Sequence, residues 1–442
     1  NSILSHNLRV LHKAVAESME EIFGQDTERV SAKLAEHWER AGIVSSAVDC
    51  GITAQKFASQ NYQYDAVIQW GKKIDGWLSR CGEDTKELLK LLAVLHRSNK
   101  ALLFTHKWKE LDTLLNRMHR IASSNSLDEW LARTEMAMGE HFTAIRDMDS
   151  ALDHLQRSLV ICRNFGYDEI EGDVLCSHGV ISGMHREYTQ AKEYFERARD
   201  LFSNQQNLRG KARALGNLGI LCRNTGETDQ AIILLEEILE IFRQIGDVRN
   251  EAVTLGNLGS LYGDRNEATT DEDYFKKAIE IFHRLGDRMP ESVFLCNLGN
   301  SFRDKGLFDN GEAAYSEAMT IIEEIGDKRT SAWIMSNHAL QYIFQDRLQE
   351  SEQLYSRALS IFTEIGDEEN IAVALAGSGY IQYLFGKKES SLESYRKANE
   401  IISRMKLQPT DFSVTFIKLR KGLLDDQFSE ASLPWPEHWE KS

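Results

Sequence analysis

The sequence predicts an all-α solenoid of stacked helix-turn-helix repeats, and three observations carry that expectation. Ile245-Gly246-Asp247, Leu285-Gly286-Asp287, Ile325-Gly326-Asp327 and Ile365-Gly366-Asp367 follow one another every 40 residues. Self-similarity at a fixed step of this length is the signature of a repeat architecture. Inside one step the apolar residues fall three or four apart, as in Leu215, Leu218 and Cys222 and then Ile232, Leu235, Ile238, Leu239 and Phe242, which is helical spacing. Finally, Gly226, Gly306 and Gly386 stand where one helix must stop and the next begin, glycine being the residue that most readily takes the left-handed turn conformation.

Taken in order, residues 1–60 form an N-terminal helical segment. Leu8, Leu11, Val15, Met19 and Ile22 predict one amphipathic helix, and Val30, Leu34, His37, Trp38 and Ala41 a second that ends at Gly42. Residues 61–125 carry weaker, divergent copies of the repeat. Seven 40-residue units then fill 126–405, their register set by Asn217-Leu218-Gly219, Asn257-Leu258-Gly259 and Asn297-Leu298-Gly299 and extended to Ser177-His178-Gly179 and Asn337-His338-Ala339. The second helix of a unit ends at the Gly-Asp step. Unit 246–285 departs from the pattern, with Asn266 and Asp271 where its neighbours have the turn glycine and a small residue, so a longer or irregular turn is expected there. Residues 406–442 leave the register after Lys406: Pro409 breaks the chain, Phe412, Phe416, Leu419 and Leu423 predict a capping helix, and Phe428 to Ser442 a tail.

Two columns show how units stack. Phe195, Leu235, Phe275, Tyr315, Tyr355 and Tyr395 are bulky, and Ala198, Ile238, Ala278, Ala318, Ala358 and Ala398, three residues on, are mostly small. Large against small lets helices interdigitate, and Gly179, Gly219, Gly259 and Gly299 are expected to let helix backbones approach.

Charge and composition narrow the function. Fifty-two Lys and Arg against 68 Asp and Glu give a net charge of −16 over 442 residues, with 42% hydrophobic residues. An acidic chain is a poor non-specific binder of nucleic acid or anionic membrane. No apolar stretch approaches the roughly 18 residues of a membrane span, and six scattered cysteines without a CxxC pair suit a reducing compartment, so a cytoplasmic protein is expected. Catalysis finds no carrier. HExxH is absent, His178 and His185 lie seven apart without a metal-type partner, and Glu236, Glu237, Glu323 and Glu324 sit on solvated helix faces. Gly216 to Gly219 lies inside a helix rather than after a strand, which excludes a phosphate loop. No catalytic residue, metal or cofactor is therefore expected.

Asn-Leu-Gly, a glycine turn, an alanine such as Ala191 or Ala231, and an aromatic with alanine three later resemble the tetratricopeptide repeat, in the 40-residue Gly-Asp variant of kinesin light chains and cell-polarity adaptors. The likeness covers 126–405 and, less closely, 84–123 and 43–80, and implies a right-handed superhelix whose first helices line a concave groove. Ser31 to Gly42 resembles the first helices after the ATPase module of bacterial multidomain regulators. That resemblance implies a nucleotide-binding domain upstream in a longer protein, which a start at Asn1 fits, although GxxxxGK[ST] is absent from this chain.

The column that singles out a binding face is Asn217, Asn257, Asn297 and Asn337. An amide offers donor and acceptor together, which matches the backbone of an extended peptide. Positions beside it vary: Arg213, Asp264, Asn300, Asp304 and Trp333 are the candidate specificity residues, with Phe344 and Leu340 completing an apolar pocket. Asn ladders in the resembled families contact peptide main chain. Equally open at this stage is that each amide bonds the adjoining repeat and only fixes the stacking. The expectation is a non-enzymatic scaffold, the sensor or adaptor part of a larger signalling regulator, whose partner is a protein or peptide segment and neither nucleic acid nor membrane. The alternative is a solenoid that regulates in cis an effector domain of the same full-length protein, a cyclase, kinase or protease, with no free peptide ligand.

Overall fold

The computed structural model describes residues 2–24, 27–61, 63–80, 84–265, 270–405 and 413–425. Within these the chain is helical throughout and divides into two units, 1–221 and 222–442. Unit 1 holds α1 (Ser2–Phe23), α2 (Ser31–Ala41), α3 (Val44–Gln60), α4 (Tyr64–Leu78), α5 (Thr85–Phe104), α6 (Trp108–Ser124), α7 (Asp128–Ala144), α8 (Met148–Phe165), α9 (Asp168–Met184), α10 (Tyr188–Asn204) and most of α11 (Leu208–Asn224). Unit 2 continues with α12 (Thr228–Gln244), α13 (Val248–Asp264), α14 (Thr270–Leu285), α15 (Arg288–Asp304), α16 (Phe308–Ile325), α17 (Lys328–Phe344), α18 (Leu348–Ile365), α19 (Glu368–Leu384), α20 (Lys388–Met405) and α21 (Ser413–Asp425). Each unit is an all-α helical-repeat solenoid.

Helix ends follow from backbone chemistry. A residue of positive φ recurs at intervals of 20 residues from His106 (φ 54°) to Gly386 (φ 74°), once after each helix of a pair, with position 266 outside the described residues. That left-handed residue turns the next N–H back onto a carbonyl of the helix it closes, as Glu227 N–H donates to the Cys222 carbonyl at 2.8 Å and Asp247 N–H to the Phe242 carbonyl at 2.9 Å. At three of the four Gly-Asp steps the aspartate side chain then opens the following helix: Asp247, Asp327 and Asp367 accept from the N–H groups of Asn250, Thr330 and Asn370 at 3.3, 2.7 and 3.3 Å, whereas Asp287 accepts from Arg249 Nε at 2.6 Å. Gly-Asp is thus a stop followed by a start.

Packing follows the bulky and small columns. Phe195, Phe275, Tyr315, Tyr355 and Tyr395 are buried, as are Ala198, Ala278, Ala318, Ala358 and Ala398. Gly179 and Gly299 make room for a ring rather than for a neighbouring backbone: a Cβ on Gly179 would stand 2.5 Å from Phe195 Cε1, and one on Gly299 2.8 Å from Tyr315 Cε1. The expected backbone approach is corrected there and at Gly219, where a Cβ would meet nothing within 4 Å, whereas one on Gly259 would meet the Asp271 carbonyl at 3.2 Å as well as the Phe275 ring at 3.1 Å.

Two other expectations change. The α1 helix forms, but Leu8, Leu11 and Ile22 of its predicted stripe are exposed, and Ala16 is what it buries. The turn expected to be longer or irregular, 266–269, lies outside the described residues, and Asp271 after it is 1% exposed in the small-residue column, satisfied by Lys305 Nζ at 2.7 Å, Ser301 Oγ at 2.5 Å and the Glu272 N–H at 2.9 Å. The last helix, α21, keeps the repeat register. Phe416 stands 416 − 376 = 40 residues past Ala376 and Leu419 stands 419 − 379 = 40 past Gly379, and α21 lies against α19 as a first helix would. The 428–442 tail, Pro409 and Asn266 lie outside the described residues, and among the described ones no helix is long and apolar enough to cross a membrane.

Candidate functional site

First helices of successive repeats touch one another in both units: α3 with α5, α5 with α7 and α7 with α9, then α13 with α15, α15 with α17 and α17 with α19. Among the described residues no two second helices are in comparable contact. The odd-numbered helices are therefore the inner, crowded layer of each unit, and the even-numbered ones the outer. Gly256 is part of how this is achieved, since Phe294 of α15 occupies the place of its missing Cβ, 2.0 Å away. Side chains that leave the inner layer without entering the core define the candidate binding face.

The four asparagines lie on this layer, but their amides are not equivalent. Asn217 is hydrogen-bonded to the Cys176 thiol of α9, one repeat back, and burial pushes that thiol up to about 12. Asn337 Nδ2 donates to the Trp333 carbonyl of its own helix at 3.0 Å. Asn257 is exposed and Asn297 half-buried, and neither amide has a hydrogen-bond partner among the described residues. In sequence the column looks uniform; in space two of its amides are taken and two are open. Gly256 stands one repeat before Asn297 at the place corresponding to Cys176, and a glycine offers no side-chain partner.

The flanking candidates divide in the same way. Arg213 pairs with Asp173 of α9 and lies 5.4 Å from the Phe202 ring centre, while Asn300 Oδ1 accepts from the Tyr315 hydroxyl at 2.7 Å and from Arg303 at 3.0 Å. Asp304 is exposed and accepts from Arg303 Nε at 2.8 Å. Trp333 is half-buried, packed between the cores on either side of it. The Asp264 side chain lies outside the described residues. Leu340 is half-buried, and Phe344 is 47% exposed with Lys418 Nζ 4.8 Å from its ring centre.

Charge separates the two inner faces. In unit 1 the layer presents the charged Arg133, Glu140, Asp173 and Arg213 together with the exposed apolar Val180, Met184 and Ile220. Burial lifts the Glu140 carboxyl above its usual range, opposed by the fields of Lys100 and Arg213. In unit 2 the face runs from the neutral polar groups of α13 and α15, Asn257, Ser260 and Asn297, to the apolar Leu340, Phe344, Tyr380 and Leu384 of α17 and α19. Glu140, Asp173, Tyr380 and Leu384 are missed by a reading confined to four repeats. Glu140 and Tyr380 share the column of Ile220, Ser260, Asn300 and Leu340, so extending the 40-residue register in both directions finds them. Among the described residues no group of three or more His, Cys, Asp or Glu side chains is arranged to hold a metal ion.

Antiparallel helix pairs repeating every 40 residues, with interlocked ring and small-residue columns and an inner layer of first helices, define a helical-repeat scaffold. The family model described as tetratricopeptide repeat matches residues 210–284 and 330–402. Over those residues the chain carries tetratricopeptide repeats. Among solved structures it is similar to the apo form of RapI, with a TM-score of 0.56 at 16% identity over 81% of this chain and 98% of that one. It is also similar to a Rap protein complexed with competence and sporulation factor, with a TM-score of 0.53 at 16% identity, covering 82% and 99%. A third likeness is to a signal transduction ATPase with numerous domains and a tetratricopeptide repeat sensor from Pyrococcus horikoshii, with a TM-score of 0.53 at 13% identity, covering 81% of this chain and 55% of that one. At such identities the likeness is one of fold. An uncharacterised protein of Rhizobium meliloti (strain 1021) is 35% identical over 98 residues, 21% of this chain and 9% of that protein, so the match spans about a tenth of the curated relative's length.

Proposed function

We propose that the chain is a non-catalytic scaffold of the cytoplasm whose inner face in unit 2 grips an extended peptide or protein segment, as the sensor region of a larger signalling regulator. One observation carries this reading. Asn257 and Asn297 stand 40 residues apart on adjacent inner helices with amides that no described residue engages. An unengaged donor-acceptor pair on each of two successive repeats is what a peptide backbone can use, because its own N–H and C=O groups need partners when it leaves water. The varied side chains around the pair, Ser260 and Asn300 on one side and Leu340 and Phe344 further along, would supply the choice of ligand. The Rap protein solved in complex with competence and sporulation factor has this fold, which supports a scaffold that holds a partner. The small share of the Rhizobium meliloti protein that is matched favours a role as one part of a longer chain and keeps in-cis control of an effector domain as the second reading.

The test uses the full chain and a displayed peptide library. Asn257→Ala with Asn297→Ala should leave the melting temperature close to that of the parent and weaken capture of selected peptides by about 1 to 3 kcal/mol, the usual scale for hydrogen bonds left unmade. A large drop in melting temperature with unchanged capture would assign both amides to the scaffold. Failure of every library member to bind the parent chain would favour in-cis control.

A further inference from the structure

We propose that the inner face of α5 and α7 in unit 1 is a phosphate-binding site built from Arg97, Lys100 and Arg133. Arg97 stands 217 − 97 = 120 residues before Asn217, three repeat steps back in the asparagine column, and Lys100 stands 140 − 100 = 40 residues before Glu140. Both therefore belong to the inner face, and residues three apart on a helix lie side by side. Arg133 is on α7, which touches α5, and stands 133 − 93 = 40 residues past Ala93, the residue one turn before Arg97. The three cations thus gather about one point. His96 marks it: after burial, the fields of Lys100, Arg133 and Arg97 hold its imidazole down to about 3, and no carboxylate among the described residues opposes them.

Arg97 is held in place yet left without an anion. Its Nη1 donates to Gln55 Oε1 at 3.1 Å, a neutral acceptor. Gln55 of α3 is 0% exposed, and its Nε2 donates to the Val67 and Val94 carbonyls at 3.2 Å and to Ser98 Oγ at 3.1 Å. Gly71 of α4 clears the space for this network, since a Cβ there would stand 2.2 Å from Ser98 Oγ. A buried network with one outlet thus positions a half-buried guanidinium, and burial works against its charge. Lys100 is exposed and in no ion pair with a described residue, while Arg133 pairs with Glu129 of its own helix at 2.9 Å. A charge partly withdrawn from water is costly without a counterion. Two cations lacking a carboxylate partner, with a third beside them, match a phosphate group, which carries close to two negative charges and three strong acceptor oxygens. A single carboxylate would leave one cation unmatched. Glu140 bounds the site beyond Lys100, and burial lifts its carboxyl above the usual range, which makes it a poor substitute for the missing anion. The site lies wholly in unit 1 and does not depend on the peptide face proposed for unit 2.

The experiment measures melting of the full chain against inorganic phosphate, with sodium chloride holding the ionic strength constant. Phosphate should raise the melting temperature of the parent, and the dependence on concentration gives a dissociation constant. Because phosphate also stabilises folded proteins by exclusion from their surface, the reading is the difference between parent and variants. Lys100→Gln and Arg97→Gln should each raise the dissociation constant about tenfold or more, the scale for hydrogen bonds to a charged group. Without phosphate, Arg97→Gln should melt no lower than the parent, because glutamine keeps a donor for Gln55 Oε1 and removes a charge that lacks a partner. Lower melting of Arg97→Gln with an unchanged phosphate response would assign Arg97 to the scaffold and overturn the proposal. The same phosphate response in the parent and both variants, or none in the parent, also overturns it. So does an equal response of the parent to acetate, which would make this a carboxylate site. Phosphoserine within a short uncharged peptide separates the sources of the phosphate. Binding about tenfold or more tighter than that of inorganic phosphate assigns the site to a phosphorylated peptide, equal binding to a small free phosphate, and both support the site.

Discussion

The two units make the same turn with different residues. In unit 1 the left-handed position is held by His106, Ser126, Arg146, Arg186 and Gln206, with Gly166 the exception; in unit 2 it is held by Gly226, Gly246, Gly286, Gly306, Gly326, Gly366 and Gly386, with Asp346 the exception. Backbone geometry is shared, since φ runs from 53° to 66° at the five non-glycine sites of unit 1 and from 66° to 79° at the glycines of unit 2. An L-residue in that conformation costs about 1 to 2 kcal/mol. The turn is therefore imposed by helix pairing 20 residues apart, and glycine is the residue that meets the demand at least strain. Where packing over-determines the backbone, as around the buried Leu111, Leu115, Leu155 and Leu159 of unit 1, an unfavourable residue is tolerated.

If one packing device underlies both units, disrupting it should hurt each alike, and this is the largest effect expected. Gly179→Leu must push Phe195 out of its slot in unit 1, as Gly299→Leu must push Tyr315 in unit 2. Each should cost about 1 to 3 kcal/mol or more, the range for overpacking a filled core. Melting curves of the two single variants check this. A loss confined to one of them would mean that the interlock matters in one unit only and would break the comparison.

How far the sequence discloses this molecule follows the same division. Repeats of unit 2 are visible because glycine marks their turns and Asp247, Asp327 and Asp367 their helix starts; those of unit 1 are fainter because arginine, serine and glutamine stand at the marker position. Periodicity announced α1 but not which stripe it buries, because Leu8 and Leu11 obey helical spacing whether or not anything covers them. Phe416 and Leu419 continue the register under a change of size, from Ala376 and Gly379, and so look unrelated to it. At the proposed binding face the asparagine column is legible as a column. Which amides are open is not, since that depends on a thiol at 176 and a glycine at 256, each a repeat away from the asparagine it serves.

Acid should separate the units by a smaller margin. His96 in unit 1 is held down to about 3, first by burial and then by Lys100, Arg133 and Arg97, and its Nδ1 has no hydrogen-bond partner. His338 in unit 2 is also lowered by burial, but Glu312 opposes the shift. A histidine with a depressed native pKa is neutral when folded and takes up a proton when unfolded, so its stabilising contribution is complete above about pH 6.5 and is lost as pH falls towards the native value. For His96 that window extends from about 6.5 down to about 3. Replacing His96 by Phe should flatten the decline of unit 1 across it. Amide exchange of α5 and α7 against α17, followed from pH 7 to 4, gives the reading, and an unchanged profile in the variant would assign the acid sensitivity of unit 1 to other groups.

The finest test exchanges the turn residues themselves. Gly306 and Gly326, at φ 73° and 78°, have nothing within 4 Å of a built Cβ, so alanine there meets no neighbour and its cost is conformational alone, about 1 kcal/mol. The reverse change in unit 1 has two opposing parts. Arg146→Gly at φ 66° removes about 1 to 2 kcal/mol of strain but loosens the unfolded chain by roughly 0.4 to 1 kcal/mol. A net gain of about 0.5 to 1 kcal/mol follows from the difference. Ser126→Gly at φ 53° should behave similarly, and Arg146→Asn should gain as much or more, because asparagine accepts the left-handed conformation without glycine's unfolded-state freedom. Urea melts with a common slope resolve differences of this size. Stabilisation by both Gly and Asn at position 146, with destabilisation by Ala at 306, would locate the contrast between the units in backbone strain. A loss at Arg146→Gly and Arg146→Asn alike would locate it instead in contacts made by the arginine side chain.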